Sequence, residues 1–188
     1  MKSRQLFFYG AILMIGLTSC NKQPDADFTT DKAEYIAGET IKLTNTSVDG
    51  VTYLWTTPDG QTATSQNLDF ITNENSDDAT LSFKLVAFSK KQKKDATMTH
   101  TVSLKAAYGD ACFWQIIGSG FGNTTVSMAG QSGIITSEYG SDPGCGQAGN
   151  ANFHLKVGNY QMTATDGNST WSGTVAITKN GCISTRLQ

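Results

Sequence analysis

Two tandem β-sandwiches behind a short export leader are what this 188-residue sequence predicts, and three observations carry the prediction. Apolar residues alternate with polar ones at period two in run after run, as half-buried strands require. Clusters of Gly with Asn or Asp punctuate the runs, Gly supplying positive φ and Asx side chains closing their own turns. After residue 20 no stretch keeps a helical period. The length suits one medium domain or two small ones.

The chain opens on Lys2 and Arg4 and continues through an apolar stretch over residues 6–17, the charged and hydrophobic regions of an export signal. About twelve residues make only ~18 Å of helix, well short of a ~30 Å hydrocarbon core, so the stretch is not a membrane span. Leu17-Thr18-Ser19-Cys20 resembles the bacterial lipobox. That resemblance implies cleavage of a leader over residues 1–19 and acylation of Cys20 by palmitate-like chains. Each buried methylene adds about 0.8 kcal/mol, so two or more chains hold a protein stably. Cleavage removes Lys2 and Arg4 and no acid, leaving side chains more acidic than the formal −2 of the whole sequence. The lipid, rather than net charge, then supplies attachment to the membrane. Residues 20–26 read as the lipidated Cys and a short polar tether, and Asn21, unlike an Asp there, points to the cell outer membrane, with periplasmic or surface face open.

In the first body, residues 27–106, Ile41 and Leu43 alternate with Thr40, Lys42 and Thr44, and Val51, Tyr53 and Trp55 alternate with Thr52, Leu54 and Thr56. A longer strand carries Leu81, Phe83, Leu85 and Ala87 inward, and a last one carries Met98, His100, Val102 and Leu104. Between the last two lies Lys90-Lys91-Gln92-Lys93-Lys94, read as a charged hairpin tip of the kind that discourages edge-to-edge pairing; its alternative is a contact to anionic glycan or lipid headgroups. Asn73-Glu74-Asn75-Ser76-Asp77-Asp78 is rich in oxygen ligands but lacks the EF-hand pattern and reads as a solvated turn.

Ala26-Asp27-Phe28, Ala37-Gly38-Glu39-Thr40-Ile41-Lys42-Leu43-Thr44-Asn45-Thr46-Ser47 and Tyr53-Leu54-Trp55 leading to Asp59-Gly60 resemble the PKD-type immunoglobulin-like sandwich over roughly residues 24–106. Thr56-Thr57-Pro58 stands where that family carries its Phe-Gly turn. The resemblance implies a buried Trp55 and contacts to proteins or polysaccharide.

The second body, residues 107–188, repeats the grammar with more Gly. Candidate strands cover 124–128, 133–137, 151–155, 159–164, 171–177 and 183–187, with Phe153, Leu155, Tyr160, Met162, Ala164, Trp171, Val175, Ile177, Ile183 and Leu187 inward. About 80 residues make a marginal lone core, so a covalent staple would help. Three thiols besides Cys20 allow three single pairings, and spacing does not choose among them. The run from Gly133 through Pro143-Gly144-Cys145-Gly146, Gly158-Asn159-Tyr160 and Trp171-Ser172-Gly173 to Gly181-Cys182 is similar to a small β-domain of exported and lipid-anchored Bacteroidetes proteins. That resemblance implies a disulfide between Cys145 and Cys182, which an exported protein would keep. Cys112 is then a buried apolar thiol or, in the alternative, a partner of Cys182.

The chemistry available is thin. A formal charge of −2 gathers no nucleic-acid backbone. His100 falls on the inward face of its strand and His154 on the outward face of another, neither within a nucleophile or zinc motif, so no catalytic residue, metal or cofactor is expected. A cluster of His154 with Asp166 or Glu138 would be the sign of an enzyme. Tyr139, in a Gly-rich stretch, and Trp114 are the candidate ligand contacts, as stacking surfaces for sugar. The sequence therefore reads as a non-enzymatic, lipid-anchored cell-envelope protein. Its sandwiches act as spacer and as interaction modules for envelope proteins or polysaccharide, and the rival is a carbohydrate-binding outer-membrane lipoprotein for glycan capture.

Overall fold

The computed structural model describes residues 22–188; the leader over 1–19, Cys20 and Asn21 lie outside the described residues. The chain is all-β. Its first body contains β1 (Phe28–Thr30), β2 (Glu34–Ile36), β3 (Thr40–Asn45), β4 (Thr52–Thr56), β5 (Thr62–Ala63), β6 (Leu68–Ile71), β7 (Ala79–Phe88) and β8 (Asp95–Lys105). They form a three-stranded sheet, β1-β3-β6, facing a five-stranded sheet, β2-β8-β7-β4-β5. Only β2 runs parallel to its neighbour among these strands. The inward rows are those the alternation assigned: Ile41 and Leu43, Trp55, Phe83 and Leu85, and Val102 and Leu104 are buried. Trp55 lies between the sheets with Phe28 edge-on at 5.0 Å, and its indole N–H, which burial would otherwise leave unpaired, donates to the Ser65 carbonyl at 3.0 Å.

Residues 90–94 form the tip of the β7–β8 hairpin, with one 3-10 turn over Lys90–Gln92. His100 is inward in phase but stands at the sheet margin, half exposed, edge-on to Phe28 and 2.9 Å from Asp27 Oδ1. That contact, with the Phe28 amide, holds the Asp27 carboxyl below its ordinary range.

The second body contains β9 (Tyr108–Ile116), β10 (Thr124–Met128), β11 (Gln131–Ile135), β12 (Glu138–Tyr139), β13 (Ala151–Lys156), β14 (Gly158–Thr165), β15 (Thr170–Ile177) and β16 (Cys182–Arg186). One sheet is β11-β10-β14-β15; in the other β9 is central, with β12 and β13 on one path and β16 paired to β9. Phe113, Val126, Met128, Ile135, Phe153, Leu155, Met162 and Ile177 fill the space between them. The strand expected at 133–137 instead begins at Gln131, because Ala129 and Gly130 both take positive φ. That is the signature of a two-residue hairpin turn, so pairing starts at once with Met128 opposite Gln131.

Only Ala106 and Ala107 separate β8 from β9, and polar contacts lock this link. Asp78 accepts from the Ala106 amide at 2.8 Å and pairs with Lys105. Val157 donates to the Ala107 carbonyl, Lys179 donates to the Ala37 carbonyl at 3.1 Å, and Lys156 pairs with Asp77. Ala37, Ala107 and Val157 form a small buried cluster at the same place.

Candidate functional site

The outer face of the β16-β9-β13 sheet carries polar side chains in rows set by the strand register. Cys182, Asp110 and His154 form one row, and Ser184, Cys112 and Asn152 the next. Arg186 and Trp114 are register partners in a third, beside Asn150.

A loop over residues 140–149 crosses this face as a strap. A disulfide bolts Cys145 to Cys182, with Cα atoms 5.9 Å apart. Ser184 donates to Asp142 Oδ1 at 2.5 Å, the Gly146 amide donates to Asn152 Oδ1 at 2.8 Å, and Asn150 Nδ2 donates to the Gly144 carbonyl. Ser184 first, then the Gly144 amide, hold the Asp142 carboxyl below its usual range. The strap is thus fixed to β16 and β13, on both sides of β9.

What lies beneath is shut in. Cys112 is a free, fully buried thiol whose S–H donates to Ser184 Oγ at 3.3 Å, and burial pushes its pKa up. A raised pKa keeps it as the poorly nucleophilic thiol. Trp114 was expected at the surface and is 6% exposed. Alternation does put it on the outer face, opposite to Phe113, but the strap roofs that face, so both sides of β9 are buried and Trp114 offers no face to a ligand. Tyr139 is half-buried and donates its hydroxyl to the Ala148 carbonyl, a contact that closes the base of the strap; the structure does not bring it to Trp114 as a stacking surface.

Where the strap ends, the sheet is open. A cleft of about 290 Å³ lies between Cys145 and Gly146 on one side and Asp110, Asn152 and His154 on the other. The His154 ring stacks on Tyr108, centroids 5.2 Å apart and planes 12° from parallel, and its Nδ1 is 2.8 Å from Asp110 Oδ1. Tyr108 is 45% exposed. The carboxylate orients the imidazole, and the phenol face extends the ledge toward the junction. Flat apolar faces beside a carboxylate and an imidazole can hold a ring that has C–H groups on one side and hydroxyls at its rim.

His154 does not meet Asp166 or Glu138. Asp166 accepts from the Ser169 and Asn168 amides of its own turn, and Glu138 accepts from Ser119 and the Gly118 amide. Among the described residues no three His, Cys, Asp or Glu side chains gather as a metal site. In the 73–78 turn, Asp77 and Asp78 are spent on Lys156, Lys105 and the linker amide.

No protein-family model matches the chain. No curated protein does either. Among solved structures it is similar to the PKD1 domain of Vibrio anguillarum Epp, with 21% identity, 45% of this chain and 96% of that one covered, and a TM-score of 0.37. It is similar also to the PKD1 domain of the Vibrio cholerae metalloprotease PrtV, at 25% identity over 45% of this chain and 99% of that one, with a TM-score of 0.36. A third similar structure is a carbohydrate-binding module of the β-sandwich superfamily, 18% identical over 76% of this chain and 55% of that one, with a TM-score of 0.42.

Tyr108 and Asp110 lie at the start of β9, a strand that period-two alternation does not mark. Its interior is apolar on both faces, so the period-two signal vanishes between residues 111 and 115. The recoverable trace is the short alternation Tyr108-Gly109-Asp110 before that run.

Proposed function

We propose that the chain is a non-enzymatic protein of the bacterial cell envelope, held through lipid on Cys20 in the outer membrane, whose two sandwiches form a stiff spacer and an interaction module. The observation that carries this reading is the junction. A two-residue link braced by Asp78, Lys156, Lys179 and Val157 makes the second body an extension of the first, where a long Gly- or Ser-rich linker would leave it swinging. On the open face His154 is engaged by Asp110 and stacked on Tyr108. Fractionation of cells making the wild-type protein and Cys20→Ala tests the tether. The wild type should stay with the outer membrane and the variant should leave it; equal retention would reject the lipid anchor.

A second reading, carbohydrate capture, is favoured by the cleft beside His154. Its volume of about 290 Å³ is at the small end of ligand clefts, and its polar wall is formed by Asp110, Asn152 and His154, with Tyr108 stacked on the His154 ring. Calorimetric titration of the protein with neutral oligosaccharides tests it. Saturable binding abolished by Tyr108→Ala and Asp110→Asn is the expected result, and binding indifferent to both would move capture away from this cleft.

A further inference from the structure

The end of the first sandwich nearest the start of the described chain gathers features that no role above uses. Asp25 and Val48 form an antiparallel bridge with two backbone hydrogen bonds. Gln23 Nε2 donates to the Asp95 carbonyl at 2.6 Å, and the Val51 amide donates to Phe88. These contacts bring three separate segments to one end: residues 22–25, the β3–β4 turn at 48–51, and the β7–β8 tip at 89–95. That end displays Lys22, Lys90, Lys91, Lys93 and Lys94, all exposed. Beside them Val48 and Val51 are 59% and 56% exposed, and Val51 and Gln92 line one shallow hollow. The acids facing the same way are Asp25, Asp49 and Asp95, of which Asp49 is paired with Lys22 at 3.6 Å. A protein of formal charge −2 thus concentrates a cationic surplus at one end, with two apolar side chains set among it.

Cys20 precedes Lys22 by two residues, a span of at most ~7 Å of extended chain. We propose that this end is a membrane-docking surface, with the lysines of the hairpin tip against anionic phospholipid headgroups and Val48 and Val51 in the interface. The inference rests on the tethered reading above, because the lipid is what sets this end, rather than any other, against the bilayer. Lysines near an anionic leaflet are attracted within a Debye length, ~10 Å at 0.1 M salt, which the short tether allows. The net charge of the whole molecule, which opposes adsorption, is a poor guide once one end is held this close.

The test is amide hydrogen exchange of the full-length lipidated protein on vesicles containing phosphatidylglycerol in phosphatidylcholine, against phosphatidylcholine alone. The expected result is slowed exchange in residues 48–51 and 89–95 on the anionic vesicles only. The protection should be lost at high salt and lost likewise in a Lys90→Glu, Lys91→Glu, Lys93→Glu, Lys94→Glu variant, where four attractions are turned into repulsions. Equal exchange on both vesicle types overturns the docking surface, as does protection by a soluble anionic polysaccharide without any by vesicles. If the protein is held on vesicles with these segments unprotected, docking alone fails. If it does not stay with vesicles at all, the tethered reading fails with it.

Discussion

Replacing Cys145 and Cys182 together by Ala should cost the second sandwich most of its margin while leaving the first nearly untouched. The bridge joins positions 37 apart in sequence. The chain-entropy relation gives about 13 cal/mol/K for a loop of that length, or ~4 kcal/mol at 25 °C. Against the ~5–15 kcal/mol of an ordinary domain, that is a large share for a body of some eighty residues. Its core amides therefore report the loss directly: ~4 kcal/mol corresponds to a fall of about a thousandfold in protection. Native-state hydrogen exchange should show this in β9 and β13, with β3 and β7 unchanged. The same variant should uncover Cys112, because the strap that covers it is bolted by the missing bridge, and thiol labelling under native conditions should quicken. A fall of less than tenfold in β9 and β13 would refute the argument. The Ser184–Asp142 and Gly146–Asn152 contacts would then be holding the strap without the bond. An equal loss in β3 and β7 would refute the independence of the two cores.

Trp55→Ala should destabilise the first sandwich by ~3–5 kcal/mol, the usual cost of emptying a fully buried aromatic site, read from urea unfolding followed by circular dichroism. Gly109→Ala should cost ~1–3 kcal/mol, because a Cβ there would stand 2.1 Å from the Thr178 carbonyl oxygen, backbone that cannot step aside; an unchanged unfolding midpoint would contradict that packing. Asp142 has its folded pKa depressed below the ordinary 3.8, so the stability it contributes is present above pH 3.8 and lost as pH falls through the lower folded value. In an NMR titration the Gly144 amide, which donates to this carboxylate, should shift with a midpoint below 3.8, and Asp142→Asn should remove the step. Tyr108→Ala, at an exposed position, should change stability by less than ~0.5 kcal/mol while removing the ledge on which His154 stacks, visible as a change in the imidazole ring resonances.

Much of the fold was legible because a strand with one wet face writes its burial into alternate residues. The inward rows on β3, β7, β13, β14 and β15 needed no more than that, and the inward Tyr160, Trp171 and Ile183 pack on the core as the phase assigned. Strands of two to four residues such as β1, β2, β5 and β6 are too short to show a period, so they went unread. β9 failed for the opposite reason: it is covered on both faces, and a strand that is dry all round has no alternation to find. The Cys145–Cys182 bond was implied only by resemblance, and the structure has it.

By itself the sequence determined the all-β class, the inward sides of β3, β7, β13, β14 and β15 and the lysine-rich hairpin tip, since all of these are local patterns of polarity. The tertiary structure alone decided that the 140–149 loop returns over the outer face of β9, burying Trp114 and Cys112. It also decided that Tyr108, Asp110 and His154 share a ledge, and that Lys22 and the hairpin tip share an end. Each of these joins residues dozens of positions apart, and which face a loop covers depends on strand register and pairing, which polarity along the chain does not encode.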